Sequence, residues 1–261
     1  MKSKSYLIFA IIGVILVGAT YFTPIWGVSL QSIQYPKSMY PKGIRVNFKF
    51  NGVYNGCEGV KEREELATNE GADCLVEMNA INHYIGMYPI VQGLNNPKTM
   101  SHPSFYVFDT QKDADGNEVF DPVTGQQIKV NVTPQSLKSL NFLMTNSPYI
   151  FALFVLLGLY FAFTSKKLNL VAGLIPALVP FYFLFVYMFY LYWYGHNLGL
   201  HGGGAFAGIK PFMPTVFGEG KVAQFTTESY PYYGFFIALG AFVFMILAIL
   251  LKRKALRTKE A

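Results

Sequence analysis

"SKKLNLVAGLIPALVPFYFLFVYMFYLYWYGH", Ser165 to His196, decides the fold. Between Lys167 and His196 it holds no Asp, Glu, Lys, Arg or His. A bilayer core needs about 20 apolar residues per helix, and Leu168 to Tyr194 exceeds that. Three more apolar runs, equally free of those five residue types, flank it in the chain: Tyr6 to Trp26, Tyr149 to Thr164 and Tyr232 to Leu251. The second is the shortest and is expected to extend outward to about Asn146. Hydrophobic residues make up 52% of the 261-residue chain and charged residues only 14%, a balance that points to membrane spans.

Basic residues set the expected orientation. Lys2 and Lys4 precede the first run, Lys166 and Lys167 occupy the turn between runs two and three, and Lys252, Arg253, Lys254, Arg257 and Lys259 follow the fourth. Short basic flanks stay in the cytoplasm. Both termini are therefore expected inside. The net charge of +6 is a topology signal and not a nucleic-acid signal, because these inner segments carry nine basic residues and one acidic. Lys2, Lys4, the core from Leu7 to Val17 and Val17-Gly18-Ala19 also fit a cleavable signal peptide. The apolar run continues through Tyr21, Phe22, Ile25 and Trp26, which favours an uncleaved anchor.

The resulting expectation is an α+β membrane protein with four transmembrane helices, N-in and C-in, and a small extracytoplasmic α+β domain inserted between helices 1 and 2. Its parts are an anchor over 1–26, the outer domain over 27–147, a helical hairpin over 148–195, an outer Gly-rich loop over 196–231 and a final helix with a basic tail over 232–261. The expected location is a bacterial inner membrane, with the main domain facing the periplasm or the cell exterior.

Within the outer domain, "RVNFKF" places Val46, Phe48 and Phe50 on one face of a half-buried strand. "DCLVEMNAINHYIGM" reads as a helix, with Asp73 as N-cap and Gly86 as its stop. Strands at "SFYVFD" and "QIKVNV" are joined through turns at "DADGNE" and "DPVTGQ". "TPQSLKSLNFLMTNSP" reads as a short helix leading into the second span. Pro176 and Pro180 should kink the third span. Its outer half is a wall of rings: Tyr and Trp near the outer end fit the interfacial belt, and the inner rings are expected to pack on a neighbouring helix or subunit rather than bind a cofactor. The loop from His196 to Tyr233 shows no clear period and many glycines.

Both cysteines, Cys57 and Cys74, fall in the outer domain, where a disulfide between them is expected. The alternative gives Cys74 to a metal. On a helix over 73–86, Asn79, His83 and Met87 share one stripe, and Cys74 and Met78 an adjacent one. His with Met is a copper-like ligand pair, since thioether selects Cu(I) and imidazole suits copper generally. Met78, His196 and His201 could complete the set, and Met100 with His102 forms another soft pair. The competing reading has Met78 and Ile85 facing a core and the histidines hydrogen-bonded at the surface. "DADGNE" resembles the start of a calcium loop but lacks the Glu at position twelve, so it reads as a hairpin turn.

Ionisable groups within the spans would mark a transport path, and none is present. No span supplies a histidine for a b-haem, and CxxCH, Walker, GxSxG and HExxH motifs are missing. A non-enzymatic protein without haem is expected.

The runs "PIWGVSLQSIQYP", "INHYIGMYPI" and "IKPFMPTVFGEGKVAQFTTESYP" resemble an integral membrane family associated with bacterial nitrous oxide reductase gene clusters, especially those with Sec-exported reductases. The resemblance rests on Asn82, His83, Tyr84, Ile85, Gly86, Met87 and Pro89, with Lys210-Pro211-Phe212 and Gln224-Phe225-Thr226. It implies an accessory role in copper-enzyme maturation or electron supply, with copper as the metal. The Cys57–Cys74 segment and the "DADGNEVFDPVTGQ" hairpin depart from the family pattern. The other reading is a structural subunit of a respiratory membrane complex without its own metal site. Membrane lipid and a respiratory or metal-delivery protein are the expected partners, and no nucleic acid.

Overall fold

The computed structural model describes residues 5–33, 37, 40, 42–56, 91–92, 108–132, 134–164, 169–197, 210–222 and 225–260. Helix α1 spans Ser5–Tyr21, and strand β1 (Trp26–Gln31) follows it almost at once. The anchor expected over 1–26 is therefore corrected: the helix ends at Tyr21 and Trp26 already belongs to a strand. Pro24 lacks the N–H that would continue a helix, and a turn over Thr20–Thr23 closes the last α1 turn.

Strands β2 (Ile44–Lys49) and β3 (Gly52–Asn55) form the next hairpin, and β4 (Val91–Gln92) adds one parallel edge. Strands β5 (Phe108–Thr110) and β6 (Lys129–Asn131) pair in a separate two-stranded ribbon, with bridges Lys112↔Glu118 and Phe120↔Gln127 between them. That is the double-turn hairpin read from the sequence.

Helix α2 runs unbroken over Gln135–Phe163, with Pro148 inside it. The short helix expected before the second span is thus the span's own first turns. A helix of 29 residues rises about 44 Å, more than the roughly 30 Å hydrocarbon core, so its polar start can stand outside. Helices α3 (Asn169–Ala177) and α4 (Val179–His196) meet at a 46° bend. Pro180 supplies no N–H for the carbonyl of Pro176 and its ring crowds that carbonyl. Leu178 accordingly leaves helical geometry, with ψ at 7°. Strands β7 (Gly218–Val222) and β8 (Phe225–Pro231) precede α5 (Tyr233–Glu260).

Among the described residues, two helices, α2 and α5, are long and apolar enough to cross a membrane, and the bent α3–α4 pair makes a third if counted as one span. Helix α1 is equally apolar but only 17 residues long.

The sheet order is β4-β3-β2-β1-β8-β7. β1 pairs along its whole length with β8, from Trp26↔Pro231 to Gln31↔Thr226. The expected outer domain over 27–147 and the loop over 196–231 are therefore not separate: the loop's second half supplies two strands to the domain's own sheet. Tyr232 N–H donates to Ile25 O at 2.9 Å and Gly234 N–H to Pro24 O at 3.1 Å, so the α1–β1 and β8–α5 junctions run side by side.

Helices α1 and α5 form the most extensive helix pair, with α2 against α1 and α3 against both α2 and α5. The core there comprises Ala10, Val14, Phe161, Ala162, Ala177, Met245 and Ala248. Lys252, read from sequence as a basic flank, is 2% exposed. Its Nζ donates to Phe161 O, in the last turn of α2, and stands 4.3 Å from the Phe161 ring centroid. A cation there satisfies an orphan carbonyl at the negative end of a helix.

A candidate lipid-facing cavity beneath the sheet

Alternation along the strands gives the sheet two unlike faces. Trp26, Val28, Leu30, Ile44, Val46 and Phe48 point to one side, together with Phe225, Thr227 and Ser229. Arg45, Asn47, Tyr54 and Glu228 take the other. The first face lies over the bend and α4.

Helix α4 meets that face with a buried stripe at Phe183, Tyr187 and Tyr190. Trp26 stands 6.2 Å from Phe183, 5.5 Å from Tyr187 and 5.4 Å from Phe235, ring centroid to centroid. Phe48 meets Tyr187 edge-on at 5.1 Å, and Phe50 meets Phe151 of α2 at 4.6 Å. The inner rings of α4 thus pack partly on strands, through Phe183 and Tyr187, and partly on the neighbouring helices that were expected, Tyr182 on Phe154 of α2 and Phe181 on Phe242 of α5.

One polar node sits inside this layer. Ser229 Oγ donates to Val216 O at 2.7 Å. Trp26 Nε1–H donates to Ser229 Oγ at 2.8 Å. A serine hydroxyl has a single proton, already used on Val216, so the 3.2 Å contact between Tyr187 and Ser229 has the phenol as donor. Three elements are bolted together by one hydroxyl.

Between the sheet, α2 and α4 lies a cavity of about 510 Å³, within the roughly 300–1,000 Å³ of small-molecule sites. Its wall is almost wholly apolar. Two lining hydroxyls are taken up by backbone carbonyls: Tyr190 donates to Ser136 O at 2.8 Å and Ser147 to Met144 O at 2.7 Å. Lys49 also borders it, but its Nζ lies 4.8 Å from the Tyr54 ring centroid on the opposite sheet face. Burial first, then the Tyr21 phenol, pushes the Tyr54 phenol above its usual range, against a hydrogen bond from Asn51.

Of the candidate copper ligands, only His196 lies among the described residues; His83, Met87, Met78 and His201 do not. Cys57, Cys74, Asn82, Tyr84 and Gly86 are likewise outside them, as are His102 and Met100. His196 ends α4, exposed, with its ring 3.9 Å from that of Tyr192 and Nδ1 at 2.9 Å from Tyr192 O. A carbonyl can only accept, so Nδ1 carries the proton of the neutral ring and Nε2 the lone pair. Among the described residues, no group of three His, Cys, Asp or Glu side chains is arranged to hold a metal.

Asp113, the head of "DADGNE", accepts the N–H of Asp115 at 2.9 Å and of Asn117 at 2.8 Å. Those bonds, the Asn117 one foremost, hold its carboxyl below the usual range. The motif is a hairpin turn. Beside His196, Phe212 N–H donates to Gly195 O at 3.2 Å, tying the Gly-rich loop back to α4. Any Cβ on Gly195 would collide with the Phe212 backbone.

Sequence reasoning missed Trp26, Tyr187 and Ser229 as a unit. Trp26 carried a signal, closing an apolar run. Ser229, in "TTESYP", carried none. No family model, curated protein or solved structure matches the chain.

Proposed function

We propose that this chain is a non-enzymatic accessory protein of a bacterial inner membrane that serves an exported copper enzyme, such as nitrous oxide reductase, through maturation or electron supply. In this reading α1, α2, α3–α4 and α5 cross the membrane as four spans, N-in and C-in, and the sheet stands on the outer side. The basic flanks of the runs and the signature residues 82–87 support it. The carrying observation is the His196 imidazole. It is exposed, its tautomer is set by a backbone carbonyl, and it presents an Nε2 lone pair where the Gly-rich loop begins. A backbone acceptor on the second ring nitrogen is the usual second partner of a metal-ligating histidine.

The donor set suits Cu(I), with His83 and Met87 as primary ligands and Met78, His196 and His201 completing the shell. Bound there, Cu(I) would be passed on by ligand exchange. Titration of the detergent-purified protein against a Cu(I) chelator should show about one Cu(I) bound per chain, the simplest stoichiometry for one such donor set. The paired substitution His83→Ala with Met87→Ala should abolish binding, and His196→Ala should weaken it. Unchanged affinity in the paired variant removes the copper reading. Metal-free co-purification with a stable partner would instead favour a structural subunit. The exposed rings of Phe185, Phe189 and Tyr192 on α4 offer a docking face for that alternative.

A further inference from the structure

From the cavity beneath the sheet we infer a second property, which rests on the membrane reading but not on copper: the cavity holds one acyl chain of a membrane phospholipid. Helices α2 and α4 share little direct contact once the bend has carried α4 away from the bundle. The gap between them is the cavity, and the sheet roofs it. Leu143 of α2 and Tyr182 of α4 both line it, and each is 40% exposed, so the lining reaches the outer surface of both helices. On that surface the same helices display Leu153, Leu156, Phe185 and Phe189. An apolar surface therefore continues from the outer faces, where lipid chains lie, into the cavity.

The interior chemistry selects the occupant. The wall is almost wholly apolar, and the hydroxyls of Ser147, Tyr187 and Tyr190 donate to protein acceptors. Lys49 directs its ammonium to the far sheet face. A ligand with polar atoms against that apolar wall would lose hydrogen bonds to water that the wall does not return. A plain hydrocarbon chain, its head left at the membrane surface, loses nothing and buries apolar area.

The test uses the full chain in vesicles containing a phospholipid with a photoactivatable diazirine on one acyl chain. Irradiation is done twice, in the vesicles and after exchange into detergent, and labelled residues are mapped by peptide mass spectrometry. Before exchange, label is expected on Leu156 and Phe185 as well as on lining residues. After exchange it should persist on Met144, Ile150 and Val186 and vanish from Leu156 and Phe185. Val186→Trp, which fills the cavity, should reduce the retained label about tenfold, whereas Phe185→Trp should leave it unchanged. Should Val186→Trp not fold, the wild-type map still decides. Retained label absent from lining residues overturns the inference while leaving the membrane reading intact. No label on any helix even in vesicles would overturn the membrane reading itself. Retention only of a diazirine-bearing isoprenoid lipid would overturn the acyl assignment.

Discussion

The bundle below the bend at Leu178 and the layer above it solve the same problem with opposite materials. Below, α1, α2 and α5 approach through Ala10, Gly13, Val14, Gly158, Ala241 and Ala248. Small side chains let helix backbones come close without polar help, as helix pairs in membranes commonly do. Above, the contacts are rings and strand hydrogen bonds, and the large, stiff side chains leave a cavity. Close packing tolerates no added volume, whereas a layer spanned by rings has room to spare. The two halves should therefore respond differently to the same chemical change.

The largest expected effect tests this directly. A Cβ on Gly158 would fall 2.5 Å from Val14 Cγ2. Gly158→Leu should cost about 3 kcal/mol, the upper end of ordinary overpacking, read as a lowered thermal midpoint in detergent. Val186→Leu, which adds a methylene facing the cavity, should change stability by less than about 0.5 kcal/mol, below even the low end of overpacking costs. Equal penalties would break the contrast between the halves.

A middle-sized effect belongs to the upper layer. Ser229→Ala removes the acceptor shared by Trp26 and Tyr187. Leaving buried donors unmet costs about 1–3 kcal/mol each. Adding Tyr187→Phe to Ser229→Ala should recover part of that loss, because one orphan donor disappears. A double variant no better than the single would mean that the rings alone hold the layer.

The smallest expected loss concerns the lower end. Lys252→Met keeps the packing volume but leaves Phe161 O without its donor. The expected cost is about 1 kcal/mol, near the mean for one hydrogen bond. No loss at all would reduce Lys252 to the topology signal read from the sequence.

How far the fold was legible depended on whether a pattern was local. The α3–α4 bend was readable because Pro176 and Pro180 act on their own helix. The β5–β6 ribbon was readable because Asp and Gly turns sit between its strands. The β7–β8 hairpin was not. In β8, Phe225, Thr227 and Ser229 are buried alternately, yet two of the three are polar, so no hydrophobic period could appear. Their hydroxyl positions make sense only beside Trp26 and Tyr187. The candidate site divides the same way. The paired His83 and Met87 are visible as spacing, while the cavity is not visible at all, because no single element contains it.

By itself the sequence determined that apolar helices dominate this chain, where they lie and where one must break, because lipid-length runs and proline act through the backbone locally. Only tertiary structure decided that two segments separated by some two hundred residues, β1 and β8, share a sheet, and that this sheet roofs a cavity beside α4. Strand pairing and enclosed volume depend on which surfaces meet, and that is not written in any one stretch of the chain.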